Sequence, residues 1–274
     1  RIFEMDNILE PWAFTPLEKP YYIWGEDKIP VPSREVPIVF SYDEKDPPQS
    51  DHYNAACIQY PWAEDAYFMF PSLYRHFPEP PAGKHGNDGY LDIQMAVSRD
   101  GVHWTRPSRD PYVPMGLEGA LDSSQLYMAI GAVRNGDVLY QYYGGYKSTH
   151  GEPGVEGGGS IQRLEQRLDG FMSADAPLEG GTLTTPPFTF SGRRLLLNMD
   201  GSATGTGKVA LLDANGTELA GFTLGECDAF GANALSREVT WNGRSDVSAW
   251  AGKPVRLKFS LKAMKLFSFR FSAS

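Results

Sequence analysis

The chain has 274 residues, 41% hydrophobic and 13% aromatic, with a formal net charge of −9. That apolar content supports a packed core and excludes wholesale disorder. The acidic balance repels phosphate backbones and excludes nucleic acid as the main partner, and no run approaches the roughly 20 apolar residues of a membrane helix.

The opening RIFEMDN has neither an initiator Met nor a leader. It is expected to continue an upstream segment of a longer gene product. Downstream, apolar and aromatic residues come in short runs closed by turn residues: AACIQYPW (55–62), AYFMF (66–70), DIQMAVS (92–98), LYMAIGAV (126–133) and VLYQYYGGY (138–146). Turn signals between them (AED, RDG, RNGD) predict antiparallel hairpins and an all-β chain. The spacing predicts strands at about 55–62, 66–73, 91–98 and 102–107, with the next unit starting at about 125. Asp100-Gly101 is expected to make a tight turn, with His103 half exposed and Trp104 packed. Cys57, inside an apolar run, is expected in the core. A disulfide to Cys227 is not expected, because the two fall in different predicted domains.

IQRLEQRLDGF (161–171) is the one helix-like run. Beyond it, RRLLLNMDG (193–201), KVALLDANGTELAGFTL (208–224), REVTWNG (237–243) and PVRLKFSLKAMKLFSFRF (254–271) read as strands, the second a hairpin about Asn215-Gly216. In the last, Leu257, Phe259 and Leu261 alternate with Lys258, Ser260 and Lys262, as on a sheet with one buried face. The pattern predicts blade-like sheets over 1–160, a connecting segment at 161–174 and a β-sandwich over 175–274.

The first half carries an internal match. Asp51 meets Asp122 at an offset of 71; Asp65 meets Asp137, Tyr74 meets Tyr146 and Arg75 meets Lys147 at 72. A repeated antiparallel unit is the mark of a propeller blade. A span of 160 residues holds only two or three blades of some 50–70 residues. Either N-terminal blades from the same gene product precede the chain, or the sheets do not form a propeller.

VSRDGVHWTRP (97–107), GLEGALDSSQLYMAIGAVRNGDVLYQYYGGYKSTHG (116–151) and the C-terminal segment 195–271 resemble five-bladed propeller glycosidases akin to glycoside hydrolase families 32 and 43. The last segment resembles the β-sandwich appended to a group of bacterial proteins of that kind. The resemblance implies an oligo- or polysaccharide partner and carboxylate acid–base chemistry. No residue of this chain matches the catalytic Glu motif of those families securely, and their early Asp motif is not found.

Propeller topology would bring the entries of the inner strands and the second-to-third loops to one mouth. That mouth would hold Asp51, His52, Tyr53, Tyr74, Arg75 and His76, and from the next unit Glu118, Asp122, Tyr146, Lys147 and His150. Asp122, Asp51 and Glu118 are the candidate catalytic carboxylates, since glycoside hydrolysis needs two flanking the bond. His52, Tyr53, Tyr74, Arg75, His76, Tyr146, Lys147 and His150 are the candidate substrate-binding residues, aromatic platforms with placed polar groups.

His85, Asp88 and Asp92 lack the spacing of a metal site, and the Gly157–Gly159 run lacks the Lys-Ser/Thr end of a phosphate loop. No cofactor or resident metal is expected. No Gly-x-Ser-x-Gly box or reactive-cysteine context is present, which disfavours nucleophilic Ser or Cys chemistry. The function expected is a glycoside hydrolase in an extracellular or periplasmic setting; the alternative is a non-catalytic glycan-binding or scaffold protein.

Overall fold

The computed structural model describes residues 2, 4–7, 9, 10, 37–79, 87–152 and 158–273, with the backbone of two paired N-terminal strands, β1 (Leu17–Trp24) and β2 (Asp27–Val31). Regular structure among the described residues is all strand, apart from one 3-10 turn at Ser248–Trp250. The chain forms two compact units, 1–133 with 141–164, and 134–140 with 165–274.

In the first unit the strands are β3 (Ser50–Tyr53), β4 (Cys57–Gln59), β5 (Tyr67–Met69), β6 (Ser72–His76), β7 (Gly89–Ile93), β8 (Ala96–Ser98), β9 (Trp104–Thr105) and β10 (Gln125–Met128). β4, β5, β8, β9 and β10 fall in runs expected from the turn spacing, whereas β3 precedes the first expected strand and the expected strands 66–73 and 91–98 are each broken in two, into β5 and β6 and into β7 and β8. β4-β5-β8-β9 make an antiparallel four-stranded meander. β3, β6 and β7 continue three of those strands past a shared crease and pair antiparallel in the order β3-β6-β7. The crease has local causes. Asn54 and Ala56 adopt left-handed φ of 53° and 39°, and Pro71 has no N–H to give a ladder. Backbone bonds nevertheless cross the bend, from Phe70 N to Ala55 O (3.0 Å) and Gln94 N to Pro71 O (2.8 Å). Phe70, Leu73, Leu91 and Ile93 are fully or almost fully buried around it.

The sheet then extends through β10, parallel to β7 with Gln125 opposite Leu91, and on to β12 (Val138–Tyr146), which follows β11 (Val133–Asn135) after a turn at Gly136 with φ 60°. The β8–β9 turn is built as expected. Gly101 has φ 75°, and Asp100 Oδ1 accepts from the amides of Val102 (2.8 Å) and His103 (2.7 Å). Trp104 Nε1 closes the turn on Gly101 O at 2.9 Å. The His103 side chain is 87% exposed, more than expected, because its contact is with the exposed carboxylate of Asp100 rather than with the sheet.

Two expectations are corrected. Residues 161–171 are not helical: β13 (Gly159–Arg167) alternates exposed and half-buried residues along an extended strand. The Ile161, Leu164 and Leu168 spacing suits a helix, but ladder pairing with β12 overrides it. Cys57 is exposed, because the left-handed turn at Ala56 breaks the alternation and buries Ala56 instead. Both cysteines are free thiols.

The second unit holds β14 (Ala174–Ala176), β15 (Gly181–Thr184), β16 (Arg194–Asp200), β17 (Thr206–Asp213), β18 (Asn233–Glu238), β19 (Val255–Lys262) and β20 (Met264–Ser272). One sheet runs β14-β20-β16-β18 and the other β15-β19-β17. Their inward residues share one core: Leu195, Leu197 and Met199 from the first sheet, and Val209, Leu211, Leu257 and Phe259 from the second, with Trp241 buried among them. Trp241 keeps its polar end satisfied by donating Nε1–H to Val209 O at 2.9 Å.

The chain passes from one sheet to the other at Ala263, whose φ of 47° makes the turn between β19 and β20. Phe267 is then an extra residue between the partners of Asn198 and Met199. This bulge reverses the parity of β20, so Met264 and Leu266 face the core before it and Phe269 and Phe271 after it. At the other predicted hairpin, Asp213 Oδ1 accepts from the amides of Asn215 and Thr217, both at 2.9 Å, and Gly216 has φ 92°.

Candidate functional site

The first unit gathers a polar aromatic surface on one face of the sheet β3-β6-β7-β10-β12. Side chains alternate along β3, so Asp51 and Tyr53 share a face while His52 points to the other. The same alternation on β6 puts Tyr74 and His76 beside Asp51 and Tyr53, and turns Arg75 away. On β10, Gln125 and Tyr127 occupy the matching positions.

A flat sheet would place β3 and β10, three strands apart, about 14 Å from one another. Yet the rings of Tyr53 and Tyr127 have centroids 6.1 Å apart, and Asn54 Nδ2 lies 3.5 Å from Met128 O. Strong curling of the sheet therefore makes a concave face from strands distant in order. His150 sits within it, 5.4 Å from Tyr53 and 4.8 Å from Tyr74 by ring centroids. Tyr146 closes one side, 6.0 Å from Tyr127. On the other side His76 Nε2 meets Asp51 Oδ2 at 2.9 Å, and the His76 ring lies 4.0 Å from Tyr74.

Tyr53 and Tyr146 remain 46% and 40% exposed, so the face is open to a ligand. Tyr74 is buried, and its Oη has no hydrogen-bond partner. Burial, with the charges of Asp88 and Asp51 nearby, pushes the Tyr74 phenol up to about 12; burial also pushes Tyr127 up. Both are therefore neutral hydroxyls across the physiological range.

The loop carrying His150 is tied down residue by residue. Buried Asp88 accepts from Thr149 Oγ1 (2.8 Å) and from the amides of Gly89 and Gly151 (both 2.7 Å). His150 N donates to Gly89 O at 3.2 Å, and Glu152 Oε2 accepts from Thr149 N at 2.9 Å.

Thus Asp51, Tyr53, Tyr74, His76, Tyr146 and His150 come together. The other expected residues do not join them. His52 lies on the opposite face, stacked edge-on against Phe40 and 3.1 Å from Arg106 Nη1. There buried Arg106 and Asp46 pair (2.5 Å), with Arg109 and Asp43 alongside at 2.7 Å. Burial, then the Arg106 charge, pushes the His52 imidazole down. Arg75 pairs with buried Asp92, which also accepts from Gln94 Nε2 at 2.6 Å.

Asp122 lies in the loop before β10 and takes the hydroxyl of Tyr143 at 2.8 Å. Gly116 and Gly145 pack so closely on it that an added Cβ would come within 2.1 Å of its Oδ1 and 2.6 Å of its Cβ, respectively. Asp122 and Asp51 share no partner. Glu118 is exposed in the turn at 117–120, and Lys147 is exposed beyond the end of β12. His85 lies outside the described residues. Asp88 and Asp92 are occupied by protein donors, and no three His, Cys, Asp or Glu side chains converge on a metal position among the described residues.

Gln125 and Tyr127 escaped the sequence reading because the repeat was aligned three residues off on its first strand. The sheet register pairs Asp51 with Tyr74 and Gln125 with Tyr146. The position equivalent to Asp51 is therefore Gln125, at an offset of 74, and Tyr127 is the equivalent of Tyr53. The D-x-Y and Q-x-Y spacing at 51–53 and 125–127 was the available signal.

A groove of about 570 Å³ in the second unit is lined by Thr182, Lys208, Ser260 and Lys262 among others, with no aromatic platform. It lacks the mixture of groups found around Tyr53.

No family model matches the chain, and no curated protein matches it. Among solved structures it is distantly similar to a glycoside hydrolase family 43 arabinoxylan arabinofuranohydrolase from Bacillus subtilis in complex with cellotetraose. The identity is 12% and the TM-score 0.22, over 80% of this chain and 53% of that one. The chain thus spans about half the length of that protein.

Proposed function

We propose that the chain recognises carbohydrate on the concave face around Tyr53, Tyr127 and His150. The observation that carries this reading is the composition of that face. Tyrosine rings, two imidazoles and one open carboxylate are gathered where curling makes a hollow. Sugars present apolar C–H faces and rings of hydroxyls, so they suit phenol platforms edged by hydrogen-bonding groups.

Within the proposal, residues 1–160 are blades of a five-bladed propeller, 161–174 the connection and 175–274 a β-sandwich. The four-stranded meander β4-β5-β8-β9 and the single core under two sheets support that architecture. The parallel pairing of β7 with β10 fuses adjacent blade sheets and is its least regular feature.

Binding is the form of the function that the face supports best, because Asp51 is the one solvent-open carboxylate among the described residues around it, and the nearby Asp88 is buried and occupied by protein donors. The Asp51–His76 pair favours a second form, a glycoside hydrolase with Asp51 as one of its two carboxylates. Asp122 and Glu118 would need to act from other surroundings.

A panel of neutral oligosaccharides, assayed for both binding and hydrolysis, tests the proposal. Saturable binding lost in Tyr53→Ala supports recognition. Turnover lost in Asp51→Asn, with binding kept, supports the hydrolase form. Neither binding nor turnover on any glycan defeats both.

A further inference from the structure

The hydrogen bonds behind His150 determine which of its ring nitrogens carries the proton. Gln125 Nε2 donates to Ser148 O at 2.7 Å, which fixes the orientation of the amide. Rotating it would set oxygen against oxygen at that distance. Gln125 Oε1 is therefore an acceptor, and two groups converge on it: Tyr127 Oη at 2.7 Å and His150 Nδ1 at 3.1 Å. His150 Nδ1 also lies 3.1 Å from Tyr127 Oη. A phenol has one hydrogen, and here it goes to Oε1. Nothing then remains in this triangle to donate to Nδ1, so Nδ1 must itself carry hydrogen.

From this we infer that neutral His150 is held as the Nδ1–H tautomer, and that its Nε2 is a fixed hydrogen-bond acceptor selecting ligands with a hydroxyl donor. The ligand class rests on the carbohydrate reading above; the tautomer rests on the Gln125 geometry alone. Nε2 has no hydrogen-bond partner among the described residues. The residues on either side of His150 are clamped by Asp88, so the side chain is held at its backbone and at Nδ1. A second group also points to a ligand: the ring of Tyr74 packs 4.8 Å from His150, and its buried Oη is unpartnered. A hydroxyl that donates to Nε2 while accepting from a neighbouring phenol uses both of its capacities, as sugar hydroxyls do. Gln125 acts as a positioning residue, since it works only through His150.

Long-range ¹⁵N–¹H correlation of the imidazoles, at a pH where they are neutral, reads the tautomer directly in the unliganded full chain. The expected result is hydrogen on Nδ1 and a bare Nε2 in His150. Gln125→Met removes the acceptor, so it should yield a mixture of tautomers and weaken binding of cellotetraose or xylotetraose about tenfold. Tyr127→Phe leaves the Gln125 acceptor in place and should retain the Nδ1–H form. Hydrogen on Nε2 of the unsubstituted protein overturns the inference whatever the protein binds. An Nδ1–H tautomer with unchanged affinity in Gln125→Met overturns the selecting role. If the tautomer is as expected but neither oligosaccharide binds, the carbohydrate reading and the selecting role fall together and the tautomer assignment stands.

Discussion

Removing the Asp88 carboxylate should loosen the whole His150 loop. Asp88 is 1% exposed and accepts three hydrogen bonds of 2.7–2.8 Å. Bonds to a charged acceptor contribute about 1.5–3 kcal/mol each, an upper bound of about 5–9 kcal/mol for three. Part of this is recovered in Asp88→Ala. The Thr149 hydroxyl can rotate, and water can reach the half-buried Gly151 amide. The expected cost is then roughly 3–5 kcal/mol. In Asp88→Asn, Oδ1 still accepts both amides and Nδ2 can donate to the Thr149 hydroxyl, so roughly 1–2 kcal/mol is lost with the charge. Urea unfolding followed by circular dichroism measures both variants, and hydrogen exchange at the Gly151 amide localises the effect to the loop. An alanine variant within about 1 kcal/mol of the unsubstituted protein would refute the reasoning. So would an asparagine variant as unstable as alanine.

The remaining predictions concern the support around the site. Arg106→Ala takes two hydrogen bonds from buried Asp46 and leaves it Arg109 Nη1 at 3.1 Å, so it should cost about 2–4 kcal/mol, whereas the partly exposed Arg109→Ala should cost about 1 kcal/mol or less; chemical denaturation of the two gives the comparison. Gly145→Ala would place a methyl 2.6 Å from Asp122 Cβ and should destabilise by about 1–3 kcal/mol, read as a lowered denaturation midpoint. Melting temperature should fall in two stages on acidification. His52 has its folded pKa below the unfolded 6.5, so its contribution is complete above 6.5 and declines as pH falls below it; His52→Asn should remove this stage. Asp43, held low by Arg109, and Asp246, held at about 2 by Ser248 and Arg193, also have folded values below the unfolded 3.8. Their contribution is therefore complete above 3.8 and lost as pH falls toward 2. A melting temperature that rises on acidification through either range contradicts the signs.

Much of the fold was legible because turn chemistry and alternation are local. Asp100-Gly101 and Asn215-Gly216 marked their turns, and the Leu257–Leu261 alternation marked its buried face. What was not legible depended on pairing between distant segments. The helical spacing of 161–171 gave way to a strand because a neighbouring strand was available to pair with it. The candidate site divided along the same line. Asp51, Tyr53, Tyr74 and His76 share a face by simple alternation, whereas His52 and Arg75 lie on the other face by the same rule, which the loop-based grouping ignored. Asp122 looked equivalent to Asp51 until the register placed Gln125 opposite Tyr146. The approach of Tyr53 to Tyr127 arises from sheet curling, and curling has no signature in residue order.

The central claim is that the face shared by Tyr53, Tyr127 and His150 binds sugar. Isothermal titration of cellotetraose, xylotetraose and mannotetraose into the chain, beside Tyr53→Ala and Tyr127→Ala, tests it most directly. The account predicts saturable binding of at least one of these sugars, weakened about tenfold or more in each variant while the urea midpoint of Tyr53→Ala stays near that of the unsubstituted protein. No saturable binding to any of them, or binding indifferent to both substitutions, would contradict it.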